Sequence, residues 1–178
     1  MSNRKAWGLA AILGLVAVVI GGVLLTLDRD VVEPSLVQYN AQFIDAGAML
    51  RLTETLSSDA LEGRATGSRG NEAARGFIQK RFETLGLRQF GDTYFQPFTA
   101  IPEEQGEPAV SGVNVVGWIA GQTPGEGPAM VITAHYDHLG IINGEIYNGA
   151  DDNASGVAAL VAVAQYFALH RPNHDMIF

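Results

Sequence analysis

Between Lys5 and Asp28 the sequence carries no charged side chain, and no other feature constrains the chain as strongly. Residues Ala6 to Leu27, AWGLAAILGLVAVVIGGVLLTL, would form a helix roughly 33 Å long at 1.5 Å per residue, enough to cross the hydrocarbon core of a bilayer. Arg4 and Lys5 precede the run and Asp28-Arg29-Asp30 follows it. By the positive-inside rule, residues 1–5 are a cytoplasmic tail and everything after Leu27 lies outside, in a periplasmic or extracellular space. A cleaved signal peptide competes with this reading, but its apolar core is shorter and ends in a small-x-small site. The run here closes on Val23-Leu24-Leu25-Thr26-Leu27, which offers no such site. A retained single-pass transmembrane anchor over 6–27 is therefore expected. Ala10, Gly14, Ala17 and Gly21 share a helix face, a pattern common to membrane helices in general.

Composition narrows the chemistry. The net charge is −8 with only 11 Lys+Arg, which argues against nucleic acid as a partner, since such surfaces need a basic patch. Hydrophobic residues make up 47% of the 178, enough for a core of ordinary domain size. The sequence has no cysteine, so disulfides, thiolate metal sites, a cysteine nucleophile and a lipidated cysteine are all excluded. Any metal must be held by His, Asp and Glu.

Residues 28–40, with Pro34, read as a polar linker, and 41–178 as one domain. Ala41 to Leu56 is expected to be helical, and Ser57 to Gly70 (SSDALEGRATGSRG) a loop. In Asn71 to Leu85 the apolar residues Ala74, Phe77, Ile78, Phe82 and Leu85 recur at three-and-four spacing, which predicts an amphipathic helix. Gly86 stands where a left-handed C-cap belongs. Gln89 to Phe98 and Val113 to Ile119 read as strands, with loops at Pro102 to Pro108 and Gly121 to Pro128. Ala129 to Ala134 (AMVITA) is short and continuously apolar, as in a strand buried on both faces. Gly156 to Leu169 is a helix stopped by Pro172, and Met176-Ile177-Phe178 opens another strand. Strands alternating with helices predict an α/β domain with a mixed, largely parallel sheet flanked by helices. A strand that opens on three apolar residues with nothing after it predicts ladder groups without partners, and so a domain incomplete at its C-terminus.

The chemistry-bearing residues form two clusters. The strand Ala129 to Ala134 runs into His135-Tyr136-Asp137-His138, and residues two apart on a strand face the same way. His135 and Asp137 should therefore sit together at the C-terminal strand edge, where open α/β sheets place ligand sites. A ligating imidazole needs its second nitrogen held by a carboxylate or carbonyl, and Asp137 is placed to do so. Alone, H-x-D is not specific and also occurs in ordinary polar contacts. The second cluster is Gly149-Ala150-Asp151-Asp152-Asn153-Ala154-Ser155-Gly156, in a loop opening directly into a helix. A solvated acidic turn capped by Ser155 is the bland explanation. Adjacent carboxylates beside a His-Asp strand end are costly, however, unless a cation neutralises them.

Taken together, Thr133-Ala134-His135-Tyr136-Asp137 and Asn148-Gly149-Ala150-Asp151-Asp152-Asn153-Ala154-Ser155-Gly156 resemble the M28 family of zinc peptidases. Leu61-Glu62-Gly63-Arg64-Ala65-Thr66-Gly67-Ser68-Arg69-Gly70 and Asn114-Val115-Val116 resemble earlier parts of the same domain, so the resemblance covers about Leu52 to Phe178. It implies two zinc ions in a complete site, with His135 ligating one, Asp152 bridging both and Asp137 orienting His135 as the catalytic carboxylate. It further implies a cis peptide at Asp152–Asn153, rare away from proline. The family's Glu-Glu pair, supplying a general base and a ligand, follows the strand that begins at Met176, and a further Asp and His come later. No Glu occurs after Glu145 in this sequence.

What these residues and the resemblance together predict is a zinc-dependent aminopeptidase acting on peptide substrates, with this chain inactive alone. The alternatives are another reaction on the same fold, a carboxypeptidase or a single-zinc glutaminyl cyclase, and a non-catalytic membrane receptor or scaffold. His138 is read as a polar neighbour, Asp151 as a loop support, and His170 and His174 as facing solvent or a helix end. No G-x-S-x-G elbow or phosphate-binding loop competes.

Overall fold

Three helices and a mixed sheet carry the described part of the domain, and two of the helices start on a side-chain cap. The structure, a computed structural model, describes residues 45–100 and 109–178. The predicted anchor and linker and the loop at Pro102 to Pro108 lie outside the described residues. Among the described residues no helix is long and apolar enough to cross a membrane.

The described residues belong to one compact unit. Helix α1 (Ala46–Leu56) is capped by Asp45, whose Oδ1 accepts the Ala48 N–H at 3.0 Å. It buries Leu52 and Leu56, one turn apart. Helix α2 (Arg69–Leu85) starts at Ser68, whose hydroxyl accepts the Asn71 N–H at 3.2 Å. Ala74, Ile78 and Phe82 form its buried stripe, the four-residue repeat expected of one helix face. It ends at Gly86 with φ 73°, where the Gly86 N–H bonds to Glu83 O and the Leu87 N–H to Phe82 O, each at 3.0 Å. Helix α3 (Ser155–Leu169) is apolar nearly all round and buries Val157, Ala158, Leu160, Val161 and Ala164 in the common core.

The main sheet has strand order β1 (Arg88–Gln89), β4 (Gly117–Ile119), β8 (Met176–Ile177), β5 (Met130–Val131). β1 and β8 each run antiparallel to β4, while β5 runs parallel to β8, pairing Met130 with Met176 and Val131 with Ile177. The sheet is mixed as predicted, but its described ladders are mainly antiparallel, so the expectation of a largely parallel sheet is corrected. β8 is also flanked on both sides, which corrects the expectation that its ladder groups lie without partners. Among the described strands β5 is the outer one, with Met130 and Val131 57% and 60% exposed, not one buried on both faces.

Two hairpins stand beside this sheet. β2 (Phe95–Ala100) pairs antiparallel with β3 (Val110–Val115). The single strand expected over Val113 to Ile119 is in fact two, because the chain passes at Val116 from the hairpin into the main sheet. β6 (Gly140–Ile142) and β7 (Glu145–Tyr147) form a hairpin that the sequence reading left out. Its turn is Asn143-Gly144, both at positive φ, the backbone that twists two strands into register.

Candidate metal centre

The parallel ladder delivers the first cluster. Beyond β5 the Ile132 N–H still bonds to Ile177 O at 2.9 Å, and the chain then leaves the sheet edge carrying His135 to His138. The second cluster hangs from the N-terminus of α3. Gly149 turns the chain at φ 57°, and Ala150–Ala154 makes one wide π-type turn before the helix begins. A side chain at Gly149 would strike the His138 ring, with Cγ 2.5 Å from a Cβ placed there. Ser155 does not cap the helix: its hydroxyl donates to Asp151 O at 3.0 Å. The Asp152–Asn153 peptide is cis.

These two loops converge. His135 Nε2 lies 3.1 Å from Asp152 Oδ1. The other ring nitrogen, Nδ1, faces the Asp137 carbonyl at 3.2 Å and Asp137 Oδ1 at 3.4 Å. His138 Nδ1 lies 3.4 Å from Asp152 Oδ2. His135 and Asp152 are 53% and 67% exposed at their side chains, whereas His138 is 13% exposed. The first two face an open rim and the third is a wall. Asp151 reaches no ion pair among the described residues and shows its backbone carbonyl to Ser155.

An imidazole nitrogen and a carboxylate oxygen are both zinc donors, and metal bonds near 2.0–2.2 Å put neighbouring tetrahedral corners about 3.3 Å apart. The observed 3.1 Å matches that spacing. Among the described residues no group of three or more His, Asp and Glu side chains surrounds one point in metal-holding fashion. The pair thus fits part of a zinc shell.

Behind the pair lies a residue to which the sequence reading gave no role. Arg64, at φ 53° and 1% exposed, is among the largest fully buried side chains. Its Nε donates to Tyr136 O at 2.8 Å, Nη1 to Asn148 O at 2.7 Å and to Leu56 O, and Nη2 to Gly149 O at 3.0 Å. Its own carbonyl accepts the His138 N–H and Asn71 Nδ2, each at 3.2 Å. One guanidinium fork therefore ties both loops to the end of α1. Burial pulls its pKa below the ordinary value, and the Asp137 and Asp152 carboxylates push the other way. Tyr136 turns inward and donates its hydroxyl to Val113 O at 2.6 Å, and burial raises that phenol above its ordinary value. The only sequence signal for Arg64 was its place in the Gly- and Ser-rich stretch that resembles the M28 domain.

The family model described as Peptidase family M28 matches residues 114–178, the stretch that supplies both loops. Over residues 114–178 the sequence is thus similar to M28 peptidases. No curated protein matches the sequence. Among solved structures, the chain is similar to a glutaminyl cyclase from Fimbriiglobus ruber at TM-score 0.61 and 19% identity, covering 76% of this chain and 44% of that one. It is similar to a leucine aminopeptidase precursor from Bacteroides thetaiotaomicron at TM-score 0.56 and 19% identity, covering 76% and 46%. A Zn-dependent exopeptidase from Parabacteroides distasonis gives TM-score 0.55 at 17% identity, again covering 76% and 46%. At such identities the likeness is one of fold, and this chain spans less than half the length of each of these neighbours.

Proposed function

We propose that the protein is a zinc-dependent exopeptidase, an aminopeptidase by its nearest chemistry, in which His135 and Asp152 are metal ligands. The supporting observation is the 3.1 Å approach of His135 Nε2 to Asp152 Oδ1 from two separate loops. Asp137 holds Nδ1 as the hydrogen-bonded nitrogen, which leaves the Nε2 lone pair free to ligate. Asp152 presents Oδ1 on the His135 side and Oδ2 toward His138, so its two oxygens face different neighbours, and on the resemblance to M28 peptidases it would bridge the two ions. When bound there, zinc supplies Lewis acidity toward a peptide carbonyl and lowers the pKa of water. A tetrahedral shell needs more than these two donors, so further ligands and a general base complete the site, two zinc ions in all on the resemblance to M28 peptidases.

A glutaminyl cyclase reaction is the second reading, favoured by the fold likeness to the Fimbriiglobus ruber enzyme. Metal content and substrate separate the two. The full-length protein should release N-terminal residues from short peptides, lose that activity to a chelator and regain it with Zn2+. Peptidase activity that survives chelation ends this proposal, and one zinc with cyclisation of N-terminal glutamine selects the second reading.

The uncharged run Ala6 to Leu27 supports a further part of the reading, that the enzyme is anchored by one helix with its catalytic domain outside the cytoplasmic membrane. Labelling of residues beyond Asp28 by a membrane-impermeant reagent in intact cells tests it, and protection of those residues rejects it.

A further inference from the structure

Asp137 is the joint on which His135 turns, and its own carboxylate is 44% exposed. A carboxylate that open rotates freely unless something holds its second oxygen. Thr66 does so. Its hydroxyl donates to Asp137 Oδ2 at 2.6 Å, across 71 residues of sequence. That length belongs to a charge-assisted O–H···O⁻ hydrogen bond, and an ionised carboxylate can only accept. With Oδ2 taken, Asp137 keeps both its backbone carbonyl, at 3.2 Å, and Oδ1, at 3.4 Å, beside His135 Nδ1.

Thr66 is itself rigidly placed. It occupies the turn Ala65 to Ser68, closed by the Ser68 N–H to Ala65 O at 2.9 Å, with Gly67 at φ 79° supplying the left-handed corner. On one side Arg64 anchors the turn in the core. On the other, Ser68 caps α2. A threonine is also stiff at χ1, so its hydroxyl keeps its aim. The relay runs from a helix cap through Thr66 and Asp137 to the imidazole.

We infer that Thr66 is a positioning residue of the metal pair: it holds Asp137, whose carbonyl and carboxylate both face Nδ1, and through it the direction of the His135 ring. The inference rests on the reading of His135 as a metal ligand and adds a residue to it. Removing an outer partner of a ligating histidine weakens metal binding by about 10- to 100-fold.

Zn2+ affinity of the full-length protein, read by competition with a chromophoric chelator, tests it without recourse to turnover. Thr66→Val removes the hydroxyl at nearly constant volume and should weaken Zn2+ binding at least about tenfold, with metal-free melting little changed. Thr66→Ser should restore wild-type affinity. Thr66→Ala reads the same contact should valine not fit. Wild-type affinity in Thr66→Val and Thr66→Ala beside a large loss in His135→Ala overturns the role of Thr66 and leaves the ligand assignment standing. Equal losses in the serine and valine variants overturn it as well. Unchanged Zn2+ binding in His135→Ala removes the ligand assignment, and the positioning role with it.

Discussion

His138 places Nδ1 3.4 Å from Asp152 Oδ2, on the carboxylate oxygen opposite the one that His135 approaches. It is the only one of the three side chains walled in, packed over Gly149 where even a Cβ would collide with its ring. The sequence reading of His138 as a polar neighbour fits this placement, and the structure says whose neighbour it is. His138→Phe keeps a ring on Gly149 and removes the nitrogen. The variant should melt close to the wild type yet bind Zn2+ about tenfold more weakly in chelator competition. Unaltered affinity would reduce His138 to packing.

Arg64 should be the most costly single position in the described fold. Its guanidinium serves four backbone carbonyls, at Leu56, Tyr136, Asn148 and Gly149. Arg64→Met fills much of the volume and satisfies none of them. Each buried acceptor left bare costs about 1–3 kcal/mol, so a loss of at least about 3 kcal/mol is expected in urea unfolding. Arg64→Lys should recover little, because one ammonium cannot span four carbonyls on three segments. A loss under about 1 kcal/mol in either variant contradicts this account.

What could be read from the sequence was what neighbouring residues decide among themselves. α2 was legible because its stripe and its Gly86 stop lie within one short segment, while its start at Arg69, capped by Ser68, comes two residues before the expected Asn71. The Asn143-Gly144 hairpin carries an equally local signal, an Asn-Gly pair between two short apolar-bearing strands. β5 misled because a continuous apolar run is the same whether a strand ends up central or outermost. The break at Val116 lies where one strand changes sheets, a tertiary choice with no local mark. His135 and Asp152 were found through motifs, but the residues that hold them were not: Thr66 meets Asp137 across 71 positions and Arg64 meets Asn148 across 84.

Gly86 and Gly149 both sit at positive φ, 73° and 57°, and should respond differently to alanine. Around Gly86 a new methyl meets nothing within 4 Å, so Gly86→Ala carries only the left-handed backbone cost, about 1 kcal/mol. At Gly149 the methyl also strikes the His138 ring and the Asp152 carbonyl. Gly149→Ala should cost clearly more in thermal melting and weaken Zn2+ binding, while Gly86→Ala leaves metal affinity alone. Equal behaviour of the two variants would mean the loop absorbs the methyl without moving Asp152.

Asp175 makes the turn between β4 and β5 sensitive to acid. Its Oδ1 accepts the Gly121 N–H at 2.7 Å and its Oδ2 the Gly125 N–H at 2.9 Å, so one carboxylate closes the turn between β4 and β5. These two bonds lower its pKa from the ordinary 3.8, with Arg88 and Arg171 adding to the same direction. A carboxyl depressed in the folded state binds protons more weakly there than in the unfolded chain, so it stabilises the fold above its unfolded value. That contribution is lost as pH falls below about 3.8 toward the lower folded value. Asp175→Asn cannot ionise and should be less stable than the wild type at pH 7, the gap closing as both are titrated into acid. Urea midpoints measured for the pair from pH 7 down to pH 3 decide the matter, and parallel curves would show that Asp175 ionisation does not hold the turn.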